Sequence, residues 1–63
     1  MTVNKLNILI ILPAFNEAAV ISDVLLGIQK EGYCNICLID DGSTDDTLKI
    51  VQEYDINILK HPL

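Results

Sequence analysis

The sequence predicts an α/β fold, a β-α-β-α-β fragment built on a parallel sheet. Residues 6–12 (Leu-Asn-Ile-Leu-Ile-Ile-Leu) and 36–39 (Ile-Cys-Leu-Ile) are nearly continuous aliphatic runs. Runs without polar alternation read as strands buried on both faces, under helices. Between and after them, apolar residues recur at three- and four-residue spacing, the period of amphipathic helices. Strands that alternate with helices are joined by right-handed crossovers and pair in parallel.

Each element has its own signals. The first strand, 6–12, is expected to end at Pro13, which cannot donate to a ladder. Asn16 stands where a helix N-cap belongs, and Glu17 suits the positive end of the first turn. Val20, Ile21, Val24, Leu25 and Ile28 form one apolar stripe, on a helix of about four turns. Gly32 is placed to stop it. The second strand, 36–39, runs into Asp40 and Asp41 and bends at Gly42. Ser43 or Thr44 is expected to cap a second helix, with Asp45 and Asp46 complementing its dipole. Leu48, Val51 and Tyr54 would face the sheet, Ile50 near the edge of that stripe. Residues 56–59 read as a third strand, with Pro62 just beyond it.

With 63 residues, 51% of them hydrophobic, the chain has a globular interior but less than the length of an ordinary domain. It reads as the first part of a larger α/β domain. The net charge of −5 excludes a phosphate-backbone partner, so no nucleic acid is expected, and it opposes a polybasic membrane contact. No apolar run approaches the ~20 residues that span a bilayer, and no signal peptide is visible. A cytoplasmic protein is expected, with membrane association only through sequence outside these residues.

Parallel neighbours send their outgoing loops to the same sheet edge, about 4.8 Å apart. The segment Pro13-Ala14-Phe15-Asn16-Glu17 and the segment Asp40-Asp41-Gly42 are therefore expected to line one crevice. Open α/β sheets bind ligands at that carboxyl edge. Phe15 and Pro13 would offer a flat apolar wall, and Glu17, Asp40 and Asp41 would offer acceptors. A nucleotide base has a flat face and N–H donors on its edge, so the set suits a base. Phosphates would be repelled unless a divalent cation intervened. The other reading, a loop whose acids only cap a helix, stays open on the residues alone.

Cys34-Asn35-Ile36-Cys37 has redox spacing. It precedes and enters a strand, where a thioredoxin-like pair would follow one at a helix N-terminus. A zinc site needs more donors than these two and His61. Free structural thiols in a reducing compartment are the expectation. His61 reads as a solvent-exposed loop residue, and Asp45 and Asp46 as helix-dipole partners rather than ligands. Gly42 comes too early for an EF-hand loop. The dinucleotide pattern Gly-x-Gly-x-x-Gly does not follow the first strand.

Leu-Pro-Ala-Phe-Asn-Glu-Ala at 12–18 and Leu-Ile-Asp-Asp-Gly-Ser-Thr-Asp-Asp-Thr at 38–47 together resemble the opening of the family 2 glycosyltransferases. These are GT-A-fold (Rossmann-like) enzymes related to dolichyl-phosphate mannose synthases and bacterial glycan synthases. The resemblance implies that residues 1–63 are the N-terminal, nucleotide-binding part of a glycosyltransferase domain. It implies inverting transfer of a sugar from a nucleotide-diphosphate donor to a lipid phosphate, a saccharide or another acceptor. Pro13, Phe15 and Glu17 would lie against the nucleoside, and Asp40 and Asp41 would bind the base edge or ribose. Phe15 stands where the family often has Tyr, which keeps stacking and removes a hydroxyl. The family's metal-binding Asp-x-Asp, which holds Mg²⁺ or Mn²⁺, and its general base come later than residue 63, so no catalytic residue is expected here. The chain alone is expected not to transfer sugar. It is expected to be able to form a homo-oligomer through strand edges, because the first strand is central in the family's topology and its free edge would recruit other chains.

Overall fold

Three parallel strands form in a computed structural model that describes residues 4–61. They are β1 (Leu9–Ala14), β2 (Asn35–Asp40) and β3 (Asn57–Lys60), in the order β1-β2-β3. Leu12 pairs with Leu38, and Leu38 with Ile58; at the carboxyl edge Ala14 pairs with Asp40, and Asp40 with Lys60. The crossovers carry α1 (Ile21–Lys30) and α2 (Thr47–Val51). The strand order never reverses, so two right-handed crossovers lay both helices on one face.

That arrangement corrects the expectation of strands covered on both sides. Side chains alternate across a strand. Ala14, Ile36 and Leu38 point under the helices and are buried with Ile21, Leu25 and Val51, while Ile10, Leu12 and Ile58 pack against this core. Leu9, Ile11 and Leu59 point the other way and are 55%, 60% and 58% exposed. Cys37 and Ile39 lie half-buried between them. The aliphatic runs lack alternation because both faces are apolar, not because both are covered here.

β1 is also displaced from its expected span, starting at Leu9 after a 3₁₀ turn at Lys5–Asn7 and running through Pro13. The Ala14 carbonyl accepts the Asp41 N–H at 2.9 Å. By alternation, the missing N–H of Pro13 then faces the open outer edge, where no ladder bond is lost.

α1 has ten residues rather than about four turns, and Asn16 is not its cap. Glu17 closes a turn first, its carbonyl accepting from Val20 and Ile21 at 3.0 and 2.8 Å. The helix then starts after Val20, which has no side-chain cap. Ile21 and Leu25 are buried and Ile28 half-buried, whereas Val20 and Val24 lie at the exposed margin of the stripe. Gly32 ends it as expected. It takes φ +94°, its N–H bonds to the Gln29 carbonyl, and the Tyr33 N–H bonds to the Ile28 carbonyl, a Schellman pattern.

α2 is a short turn of helix. Neither Ser43 nor Thr44 caps it; both bond elsewhere, as described below. Val51 is buried, Leu48 and Ile50 are half-buried, and the half-buried Tyr54 donates its hydroxyl to Ser22 Oγ at 2.9 Å, tying α2's end to α1. The third strand lies one residue later than expected. Pro62 falls outside the described residues.

Candidate functional site

The carboxyl edge of the sheet carries two loops, and they are laced together by polar contacts. Gly42 supplies a positive φ of 87°, which lets the chain reverse after Asp41 without a Cβ penalty. Asp40 stabilises the bend by accepting the Ser43 N–H on Oδ2 at 3.1 Å. The residues after the bend then turn their side-chain oxygens toward the first loop. Ser43 Oγ accepts the Asn16 N–H at 2.9 Å, Thr47 Oγ1 accepts the Glu17 N–H at 2.9 Å, and Asp45 Oδ2 accepts the Ala18 N–H at 3.2 Å.

Asn16 returns the favour. It sits in the left-handed region at φ 51°, which asparagine tolerates better than most residues. From there its Oδ1 accepts the N–H groups of Thr44 and Asp45 at 2.8 and 3.3 Å, and the Thr44 hydroxyl. This explains why neither Asn16 nor Thr44 caps a helix. Asp45 also accepts the Thr47 N–H at 2.9 Å and the Thr47 hydroxyl. The Thr47 hydroxyl is the main cause that holds the Asp45 carboxyl below its ordinary range, assisted by the Thr47 and Ala18 N–H groups. Asp45 is therefore a brace between the loops as well as a partner of the α2 terminus. Thr47, fully buried at the hub of these contacts, was not singled out from the sequence. Its signal was a hydroxyl at the first position of a helix with no apolar reason to be inside.

The residues expected to form the site fall into two groups. Asp40 and Asp41 lie between the first loop and the end of β3, with Phe15 half-exposed on the β1 side. Asp40 is 2% exposed, and its Oδ1 has no hydrogen-bond partner among the described residues. Leaving a buried acceptor unmatched costs about 1–3 kcal/mol. Asp41 is half-exposed, and its Oδ1 lies 3.2 Å from Nδ1 of His61, so His61 belongs to this rim rather than to an unrelated loop. Pro13 pairs beside Ile39, one position from Asp40, so its ring lies on the helix-free side of the sheet while Asp40 points to the helix side. The Glu17 side chain is exposed.

The acids do not make a cation cage. Among the described residues, no group of three or more His, Cys, Asp or Glu side chains is placed to hold a metal. A concavity of about 330 Å³ lies at the opposite, amino edge of the sheet, lined by Cys34, Asn35, Ile36, Asp55, Ile56 and Asn57. It lacks the paired loops and the left-handed asparagine of the carboxyl edge. Cys34 and Cys37 are both free, Cys34 exposed and Cys37 half-buried, so the redox spacing forms no bridge. No helix among the described residues is long and apolar enough to cross a membrane.

Comparison with known proteins agrees with the motif positions. The family model described as glycosyl transferase family 2 matches residues 9–62. An uncharacterized protein of Methanocaldococcus jannaschii is 41% identical over 97% of this chain and 25% of its own length. A UDP-N-acetylglucosamine–dolichyl-phosphate N-acetylglucosaminyltransferase of Methanococcus voltae is 44% identical over 76% of this chain and 19% of its own. Glycosyltransferase AglJ of Haloferax volcanii is 36% identical over 79% of this chain and 16% of its own. The chain thus spans a quarter or less of the length of these relatives. No solved structure matches it significantly. The matched region takes in both strapped loops and all three strands, and on that ground the chain belongs to the family 2 glycosyltransferases.

Proposed function

We propose that this chain is the nucleoside-binding part of an inverting glycosyltransferase that uses a nucleotide-diphosphate sugar, and that its carboxyl-edge rim receives the base and ribose. The observation that carries the reading is the half-exposed Asp41 carboxylate on the rim between the first loop and the end of β3, with the unmatched Oδ1 of Asp40 buried one residue before it. An N–H on a base edge, or a ribose hydroxyl, is the donor such acceptors lack. Phe15 supplies a flat apolar surface on the β1 side. Glu17 belongs to the same loop and joins the proposed nucleoside set; Pro13, on the sheet face opposite Asp40, takes part in it only from the start of that loop.

The backbone supports a nucleoside over a phosphate. The N–H groups of residues 16, 17 and 18 are the natural anion donors of such a loop, and all three are engaged by Ser43, Thr47 and Asp45. A diphosphate would meet carboxylates instead of amides. Mg²⁺ or Mn²⁺, which would neutralise a diphosphate, therefore belongs to the whole enzyme, with ligands outside this chain. The name of the Methanococcus relative makes UDP the first donor nucleotide to try and a lipid phosphate the first acceptor class.

Calorimetric titration with UDP and GDP, with and without Mn²⁺, tests the reading. Measurable binding that is lost in Asp41→Ala is expected, and no binding of either nucleotide sinks it. Incubation with radiolabelled sugar nucleotide is expected to give no transfer by these 63 residues; turnover would show a catalytic group in this chain. A second reading, self-association, is favoured by the unpaired outer edge of β1 and the exposed Leu9, Ile11 and Leu59, since open strand edges recruit other chains.

A further inference from the structure

The end of β3 reaches the same rim as the two strapped loops. Lys60 pairs with Asp40, and the next residue, His61, donates its N–H to the Asp40 carbonyl at 2.7 Å. That bond extends the ladder by one step and fixes the His61 backbone beside the acids. Its side chain then lies with Nδ1 3.2 Å from Asp41 Oδ1, the two side chains 70% and 50% exposed. Among the described residues it is the one cation-capable side chain in ion-pair contact with either Asp40 or Asp41.

We propose that His61 is a positioning residue of the nucleoside site, whose Nδ1–H holds the Asp41 carboxylate in the rotamer that meets the ligand. The proposal rests on the nucleoside-binding reading above. Asp41 directly precedes the bend at Gly42 and is half in water, so without a partner its carboxylate samples several rotamers. A ligand with N–H or O–H donors needs its lone pairs in fixed directions, and fixing a rotamer on binding costs affinity. Asp40 needs no such help, being buried and bonded to Ser43. Asp41 Oδ1 has the imidazole, and the proposal assigns Oδ2 to the ligand. A surface ion pair contributes little to folding, so the contact's effect falls on binding rather than on stability.

The protein has a single histidine, which makes the test clean. In the chain labelled with ¹⁵N-histidine, the neutral ring is expected to carry its proton on Nδ1, whereas a free imidazole side chain favours Nε2. An Nε2–H ring that does not respond to Asp41→Asn overturns the contact without any ligand. Affinity for UDP and uridine is then measured for wild type, His61→Ala, His61→Asn and His61→Phe, with amide spectra to check that each is folded. His61→Ala is expected to bind about fivefold more weakly, the effect of freeing one side chain. Asn, which keeps an N–H near the Nδ1 position, is expected to restore most of the loss, and Phe, which keeps only a ring, none of it. Binding unchanged in His61→Ala, rescue by Phe, or no rescue by Asn overturns the proposal while leaving the nucleoside site intact. No binding by wild type overturns both.

Discussion

Asn16 shows how a single residue organises the rim. Its left-handed backbone aims one amide oxygen at two N–H groups and a hydroxyl of the other loop. Asn16→Ala removes that acceptor and leaves a Cβ in a region that costs an L-residue about 1–2 kcal/mol. The variant is expected to lose about 2–3 kcal/mol of stability in urea denaturation. Asn16→Gly loses the acceptor but not the backbone conformation, so it is expected to be the milder of the two; equal losses would place the whole cost in the side chain. Asp45 makes the same frame sensitive to acid. Its folded-state pKa is depressed below the ordinary 3.8, so its contribution is present above that value and lost as pH falls through the folded-state pKa. Urea midpoints at pH 6 and pH 3 are expected to differ more in wild type than in Asp45→Asn, whose amide oxygen still accepts but does not titrate.

At the scale of elements, the core positions are the ones that hydrophobic periodicity can reveal. Ile21, Leu25 and Val51 were legible as helix stripes, and Ile36 and Leu38 as strand interior, because each repeats at the spacing of its element. Leu25→Ala is expected to cost about 3 kcal/mol by cavity formation, enough to unfold much of so small a domain at room temperature; circular dichroism at 25 °C reads this directly. The Gly32 stop was legible for the same local reason, since only glycine takes φ +94° cheaply. Its missing Cβ would also come within 3.3 Å of Lys5 Cδ. The rim was harder to read. Asn16 and Thr44 look like caps locally, and only the meeting of two loops 27 to 30 residues apart shows their other use. His61 reads as a loop residue from sequence because its partner Asp41 lies 20 positions away and is reached only through the β2–β3 register. Pro13 marked a strand end by sequence rule, yet the open side of β1 accommodates it.

Taken as a whole, the described residues make one layer of helices on one sheet, and none of them covers the second sheet face. Leu9, Ile11 and Leu59 on that face are apolar and largely exposed, an arrangement that marks an interaction surface. The net charge of −5 opposes contact between copies at low salt and is screened at high salt. Light scattering is expected to report a rising apparent mass with protein concentration and with salt. Ile11→Lys with Leu59→Lys is expected to return the monomer without loss of helix signal; a wild-type monomer under all conditions would remove self-association.

The strap between the loops is lopsided. At residues 17 and 18 the first loop gives only main-chain N–H groups, while the second answers with the side chains of Asp45 and Thr47. Side chains at 17 and 18 can therefore be exchanged without unfastening the frame, whereas changes at 45 and 47 loosen it. On the proposed nucleoside-binding reading, preference for one nucleoside over another can drift on the β1 side of the rim while its architecture stays fixed from the β2 side.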